Sequence, residues 1–229
     1  MMNTIKLSLM TIVATTLFIL GACDEKQQDK NKTHKTEEVE VRHNHSQMEN
    51  NKKETMHDKH EAIQNNFAHQ DIIILDTPYQ ADKIVKEGLK EIVNAYLEMK
   101  NALVNDNILE VDLATVKMTQ KVEAVDETSL KGEGKKAWQQ HALLYSDKLA
   151  EMQHSNTLAE KRSYFSHISE IMYCTVKSYE LKEYVTLYAV YCPMAFDGKG
   201  AYWLAETEEI NNPYFGSKML KCGEIKEKL

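Results

Sequence analysis

From residue 85 to residue 179 apolar side chains recur at intervals of three, four or seven, the spacing that lines one face of an α-helix. A first stripe runs Val85, Leu89, Ile92, Tyr96, Met99 and Leu103, and a second runs Val111, Ala114, Met118, Val122 and Val125. Trp138, Ala142, Tyr145, Leu149 and Met152 form a third, followed by Leu158, Phe165, Ile168, Met172, Val176 and Tyr179. Local signals divide the stripes. Thr77, Pro78 and Gln80 predict a capped start for the first helix, which should end near Asn105. Asn107 with Glu110 and Thr157 with Glu160 predict caps for the second and fourth, while Gly132 and Gly134 mark a loop. Four stripes of similar length can cover one another, which predicts an antiparallel four-helix bundle with Met99, Met118, Met152 and Met172 packed on its seams.

After Lys182 the rhythm changes. Glu183 to Cys192 (EYVTLYAVYC) is rich in Tyr and Val, and Asp197-Gly198-Lys199-Gly200 can turn the chain back into Ala201 to Leu204. Asn212-Pro213-Tyr214-Phe215-Gly216 reads as a turn before a short closing segment. The expected fold is therefore mainly α: an antiparallel four-helix bundle with a small C-terminal β-hairpin cap, over residues 71–229.

The chain ahead of this body has a different character. Residues 1–22 hold an early Lys6 and an apolar run from Leu7 to Leu20, too short to cross about 30 Å of hydrocarbon comfortably, and read as a signal peptide. Leu20-Gly21-Ala22-Cys23 resembles the bacterial lipobox, which makes Cys23 the expected site of lipidation and the membrane a partner through that anchor. The expected location is the cell envelope, facing the periplasm or on the outer-membrane surface. Residues 23–70 are polar, charged in both signs and without apolar period, as a disordered tether is. Six of the 9 histidines fall there: His34, His43, His45, His57, His60 and His69, with Met48 and Met56 among them. Histidine-rich tracts bind metal, or are simply hydrophilic linkers.

Charge and cysteine usage narrow the chemistry. A net charge of −7 leaves no basic stripe for a phosphate backbone, so no nucleic-acid partner is expected. No nucleophile triad, phosphate loop or paired carboxylates stand in a recognisable context, and no enzyme activity is expected. Setting Cys23 aside, the 4 cysteines leave Cys174, Cys192 and Cys222, of which Cys174 reads as a small buried filler. Cys192 and Met194 lie two apart, on one side of an extended chain; Met219 and Cys222 lie three apart, within one helical turn. Convergence of those four sulfurs would suit Cu(I), with Zn(II) or another thiophilic ion a weaker match. His167, near the seam of the fourth helix, is a further candidate ligand, as are His43, His45, His57 and His60 of the tether. His141 and His154 read as surface residues. The alternative is a Cys192–Cys222 disulfide stabilising by about 3 to 4 kcal/mol, with the methionines filling core.

The segment YCPMAFDGKGAYWLAETEEINNPYFGSKMLKCGEI, with Arg162, Phe165 and Ser169 upstream, resembles the DUF3347 family of bacterial envelope proteins, over about residues 82–227. Cys192, Pro193, Met194, Gly200, Trp203, Leu204, Asn212, Pro213, Tyr214, Gly216, Met219, Cys222 and Gly223 stand at its motif positions. The resemblance implies a helical domain connected with copper or other heavy metals, found on lipoproteins and appended to heavy-metal efflux adaptors, one of which is thus an expected partner. The two resulting expectations are an envelope-anchored soft-metal binding protein, for sequestration or delivery to an efflux system, and a non-catalytic interaction module held by a Cys192–Cys222 disulfide.

Overall fold

In the computed structural model the described residues are 63–229. The expected signal peptide 1–22, Cys23 and the tether histidines His34, His43, His45, His57 and His60 lie outside them. Four long helices follow in order: α1 (Lys83–Val104), α2 (Ile108–Glu123), α3 (Gly132–His154) and α4 (Leu158–Tyr179). A small antiparallel sheet of β1 (Tyr188–Cys192), β2 (Ala201–Ala205) and β3 (Glu224–Lys228) closes the chain. Helix α1 packs on α2, α2 on α3, α3 on α4 and α1 on α4, and β2 lies against α4. Among the described residues no helix is long and apolar enough to cross a membrane.

The apolar stripes are the core. Val85, Leu89, Ile92, Tyr96, Met99, Leu103, Val111, Met118, Tyr145, Leu149, Met152, Phe165, Ile168 and Met172 are all buried. The expected caps of α2 and α4 form: Asn107 accepts from the Glu110 N–H, and Thr157 and Glu160 make a reciprocal capping box.

The first helix begins later than expected, with Asp82 as its cap in place of Thr77, accepting from the Val85 N–H at 2.9 Å. The segment before it is extended because α3 and α4 satisfy its backbone. Gln140 accepts from the Ile73 N–H at 2.7 Å, the Ser178 hydroxyl from the Leu75 N–H at 3.1 Å, and the Ser178 carbonyl from the Tyr79 N–H at 2.7 Å. Gly132 and Gly134 open α3 and do not form a loop. Gly134 is small because the Tyr79 ring lies on it: a Cβ there would stand 2.3 Å from Cδ2 of that ring. Packing also reaches further back than the expected body, since Ile63 and Phe67 are buried in the same core.

The expected two-stranded hairpin supplies two strands of a three-stranded sheet in which β1 is central, paired with β2 and with β3. Register pairs Cys192 with Ala201 and Tyr188 with Ala205 on one side, and Tyr188 with Lys228 on the other. β3 reads EIKEK and is mostly exposed, a charged edge strand without an apolar face to announce it. It is anchored by one buried ion pair, Lys177 Nζ to Glu227 Oε1 at 2.6 Å, supported by a 2.7 Å hydrogen bond from the Tyr173 hydroxyl to Glu227 Oε2.

Candidate functional site

Two groups of chemistry-bearing side chains come together on this scaffold. The first is the cysteine pair. Cys192 ends the central strand, and the chain returns to it through the turn at Met219, where the Cys222 N–H donates to the Met219 carbonyl at 3.1 Å. Asn212, fully buried, holds that return: its side-chain amide donates to the Cys222 carbonyl at 2.6 Å and its side-chain oxygen accepts from the Tyr214 N–H at 2.8 Å. Gly223 is required beside it, because a Cβ there would lie 2.7 Å from the Trp203 ring. The result places Cys192 Sγ 3.2 Å from Cys222 Sγ, with both thiols free. That distance is a non-bonded contact, well beyond a covalent sulfur–sulfur bond of about 2.05 Å. Hydrogen bonding to Cys192, then burial, raises the Cys222 thiol above its ordinary range.

The methionines are placed differently. Met194 is 54% exposed just beyond β1, and Met219 is half-buried in the turn that carries Cys222. Around the pair, Trp203 and Tyr214 pack edge to face with centroids 5.8 Å apart, and Phe196 meets Tyr214 at 5.4 Å. The Tyr214 hydroxyl donates to the Tyr202 carbonyl. Cys192 is buried and Cys222 only partly so. Cys174 is fully buried, and burial raises its thiol far above the usual range, which makes it inert filler as expected.

The second group was not assembled in the sequence reading. His167 and Glu170 stand one turn apart on α4, and His69, assigned to the tether, reaches them from the segment ahead of α1. Each of the three offers a ligand atom, and these atoms lie within 4.8 Å of one another. Glu170 accepts from the Ala68 N–H at 2.8 Å and the His69 N–H at 3.2 Å, so the carboxylate itself fixes where His69 sits. The two imidazole rings are 4.6 Å apart. Burial pushes the Glu170 carboxyl up to about 7 against those two hydrogen bonds. Burial first, then the neighbouring His69, lowers His167 to about 4 and leaves it neutral. The spacing His-x-x-Glu was visible in the sequence; its third member was hidden because nothing local marks His69 as packed.

His141, expected at the surface, is fully buried and lowered to about 4 by burial. Its Nε2 donates to the Ile73 carbonyl at 2.7 Å and its Nδ1 meets the Thr175 hydroxyl at 3.1 Å, so its job is to hold the extended segment on α3. His154 is exposed as expected.

Residues 92–184 match the model of a family described as a protein of unknown function, DUF3347. The match spans most of the four helices, with His167 and Glu170, and ends before β1, so the cysteine pair lies beyond it. No curated protein and no solved structure matches the chain.

Proposed function

We propose, taking the match of residues 92–184 to the DUF3347 family model as the premise, that this is an envelope-anchored protein that binds a soft metal ion through Cys192 and Cys222. Cu(I) is the first choice, and Zn(II) or another thiophilic ion the second. The role is sequestration or delivery to an efflux system, whose adaptor subunit is the proposed partner. Lipidated Cys23 supplies the anchor, and His43, His45, His57 and His60 gather metal weakly before transfer. The helices are read as a four-helix bundle, because their neighbour contacts close from α1 round to α4 and back.

The observation that carries this reading is the 3.2 Å approach of two unbonded thiols from the end of β1 and the chain's last turn. Tetrahedral thiolates at about 2.3 Å from a metal stand about 3.8 Å apart, so the pair needs to open by only about half an ångström. Met194 and Met219 lie between the two cysteines in sequence, each close to one of them, and are the proposed thioether ligands, the exposed Met194 being free to swing in when an ion arrives. Titration of the reduced protein with Cu(I) against a competing chelator tests the proposal. Tight binding is expected in the parent and lost in Cys192→Ser and in Cys222→Ser; unchanged binding in both variants rejects the assignment.

A second reading, a non-catalytic interaction module closed by a Cys192–Cys222 disulfide, has its own support. Leu109, Leu113 and Val116 are 72%, 71% and 38% exposed along one side of α2, an apolar strip that a partner in an envelope complex could cover. Alkylation separates the two: thiols of the native protein that react before any reductant is added favour metal binding, and thiols that react only afterwards favour the module.

A further inference from the structure

His69, His167 and Glu170 join two parts of the fold, the segment ahead of α1 and helix α4. His69 Nε2 and His167 Nδ1 are both buried, and neither has a hydrogen-bond partner among the described residues. One orphaned buried polar nitrogen costs about 1 to 3 kcal/mol. Two in neighbouring rings mark a place where something else supplies the partner. Glu170 adds a buried carboxylate with which, among the described residues, no lysine or arginine is paired. Its two hydrogen bonds to backbone N–H groups aim it without exhausting its four lone pairs.

We propose that His69, His167 and Glu170 form a divalent-cation site of the zinc type, separate from the cysteine pair and independent of the soft-metal reading. Two imidazoles and one carboxylate suit Zn(II) and its analogue Co(II), and match Cu(I) poorly for want of sulfur. Ligand atoms at 2.0 to 2.2 Å around a tetrahedral ion stand about 3.4 Å apart. The observed set, within 4.8 Å, reaches that spacing by side-chain rotation of about an ångström. The cation neutralises Glu170, occupies both orphaned nitrogens and ties the segment before α1 to α4. Three protein ligands leave a fourth position open. A cavity of about 370 Å³, lined by His167, Glu170, Phe67, Ser166 and Lys199 among others, adjoins the cluster and can admit water or a small anion there.

The experiment uses the full chain carrying Cys192→Ser and Cys222→Ser, so that failure of the thiol site and failure of this one are read separately. Zn(II) affinity by chelator competition, thermal unfolding with and without Zn(II), and the Co(II) visible spectrum are compared with His69→Gln, His167→Gln and Glu170→Gln in the same background. Expected are one tight site, a Zn(II)-dependent rise in Tm and four-coordinate Co(II) bands. Affinity should fall by about 100-fold or more in each variant, since even a supporting second partner is worth 10 to 100-fold. Circular dichroism identifies any variant that fails to fold; His69→Gln, ahead of the helices, is the arm least exposed to that outcome. Affinity unchanged in His69→Gln and His167→Gln, or tight binding lost only when His43, His45, His57 and His60 are replaced, overturns the proposal. So does a chain that takes up no Zn(II), in which case a bridging water serves the two nitrogens.

Discussion

Arg162 Nη2 stands 2.5 Å from Asp106 Oδ1, an ion pair between α4 and the residue that links α1 to α2. The same guanidinium donates to the Pro213 carbonyl at 2.8 Å and to the Leu103 carbonyl at 3.1 Å, and Asp106 in turn accepts from the Ser217 hydroxyl at 2.7 Å. One fork thus holds the helix connection and the C-terminal loop in a single frame. A lysine has the charge without the fork. Arg162→Lys should cost about 2 kcal/mol in denaturant unfolding through the unpaired carbonyls. The Ser217 hydroxyl first, and Arg162 next, lower the Asp106 carboxyl from 3.8 to about 2. Its contribution is therefore complete above pH 3.8 and lost as pH falls towards 2, and the variant should show a shallower loss in that interval.

Tyr96 joins three elements through one oxygen. Ser169 gives its proton to the Phe165 carbonyl, so the Tyr96 hydroxyl donates to Ser169 Oγ at 2.8 Å and accepts from the Leu204 N–H at 2.9 Å. Tyr96→Phe keeps the ring stacked on Phe165 but strands two buried polar groups. A loss of about 2 to 3 kcal/mol is expected, together with faster hydrogen exchange at the Leu204 amide. Slow exchange at Leu204 in the variant would count against this role.

The helices were legible because each buries a face whose period survives in the residue order. What escaped the sequence was set by partners distant along the chain. Gly134 looks like loop punctuation until Tyr79 is seen lying on it, and His141 looks like a surface residue until the extended segment supplies Ile73 as its acceptor. β3, an edge strand, is charged at every position but Ile225, and so carries no strand alternation to read. Spacing pairs each cysteine with a methionine, whereas the structure brings the two cysteine sulfurs within 3.2 Å and leaves Met194 54% exposed. Glu170 was passed over because its partner is about a hundred residues away, the sequence separation of the Ala68 and His69 N–H groups it receives.

His141 gives the fold an acid sensitivity. Buried and neutral, it has a folded pKa of about 4 against an ordinary 6.5, so the unfolded chain binds the extra proton first as pH falls. Stability should be full above pH 6.5 and decline between 6.5 and 4, by on the order of 3 kcal/mol from this residue. His167, also lowered to about 4, acts in the same direction, while Glu170, raised to about 7, opposes both between pH 7 and its ordinary 4.5. His141→Gln, which can still donate to the Ile73 carbonyl, should therefore remove only part of the decline. Unfolding curves at pH 7, 6, 5 and 4 make the comparison; an unchanged slope in the variant would show that His141 does not set it.

The cysteine pair makes the last prediction. A mild thiol oxidant such as diamide takes two electrons and two protons from Cys192 and Cys222 and leaves one sulfur–sulfur bond. Their 3.2 Å contact means that this bond forms within one molecule, closing a loop between residues 30 apart in sequence. Stabilisation of about 3 to 4 kcal/mol should follow in the chain-entropy model. Because the raised Cys222 thiol must first lose its proton, the rate should keep climbing beyond pH 9.0, the ordinary value for a free thiol. Cys174, buried and far less acidic, should survive as a thiol, and peptide mapping should find a single Cys192–Cys222 crosslink. The bridged form has no thiolate to offer, so Cu(I) affinity should fall on oxidation and return with reductant. Retention of full affinity after bridging would place the metal elsewhere, and disulfide-linked dimers in place of the internal bridge would mean that the two sulfurs do not meet in solution.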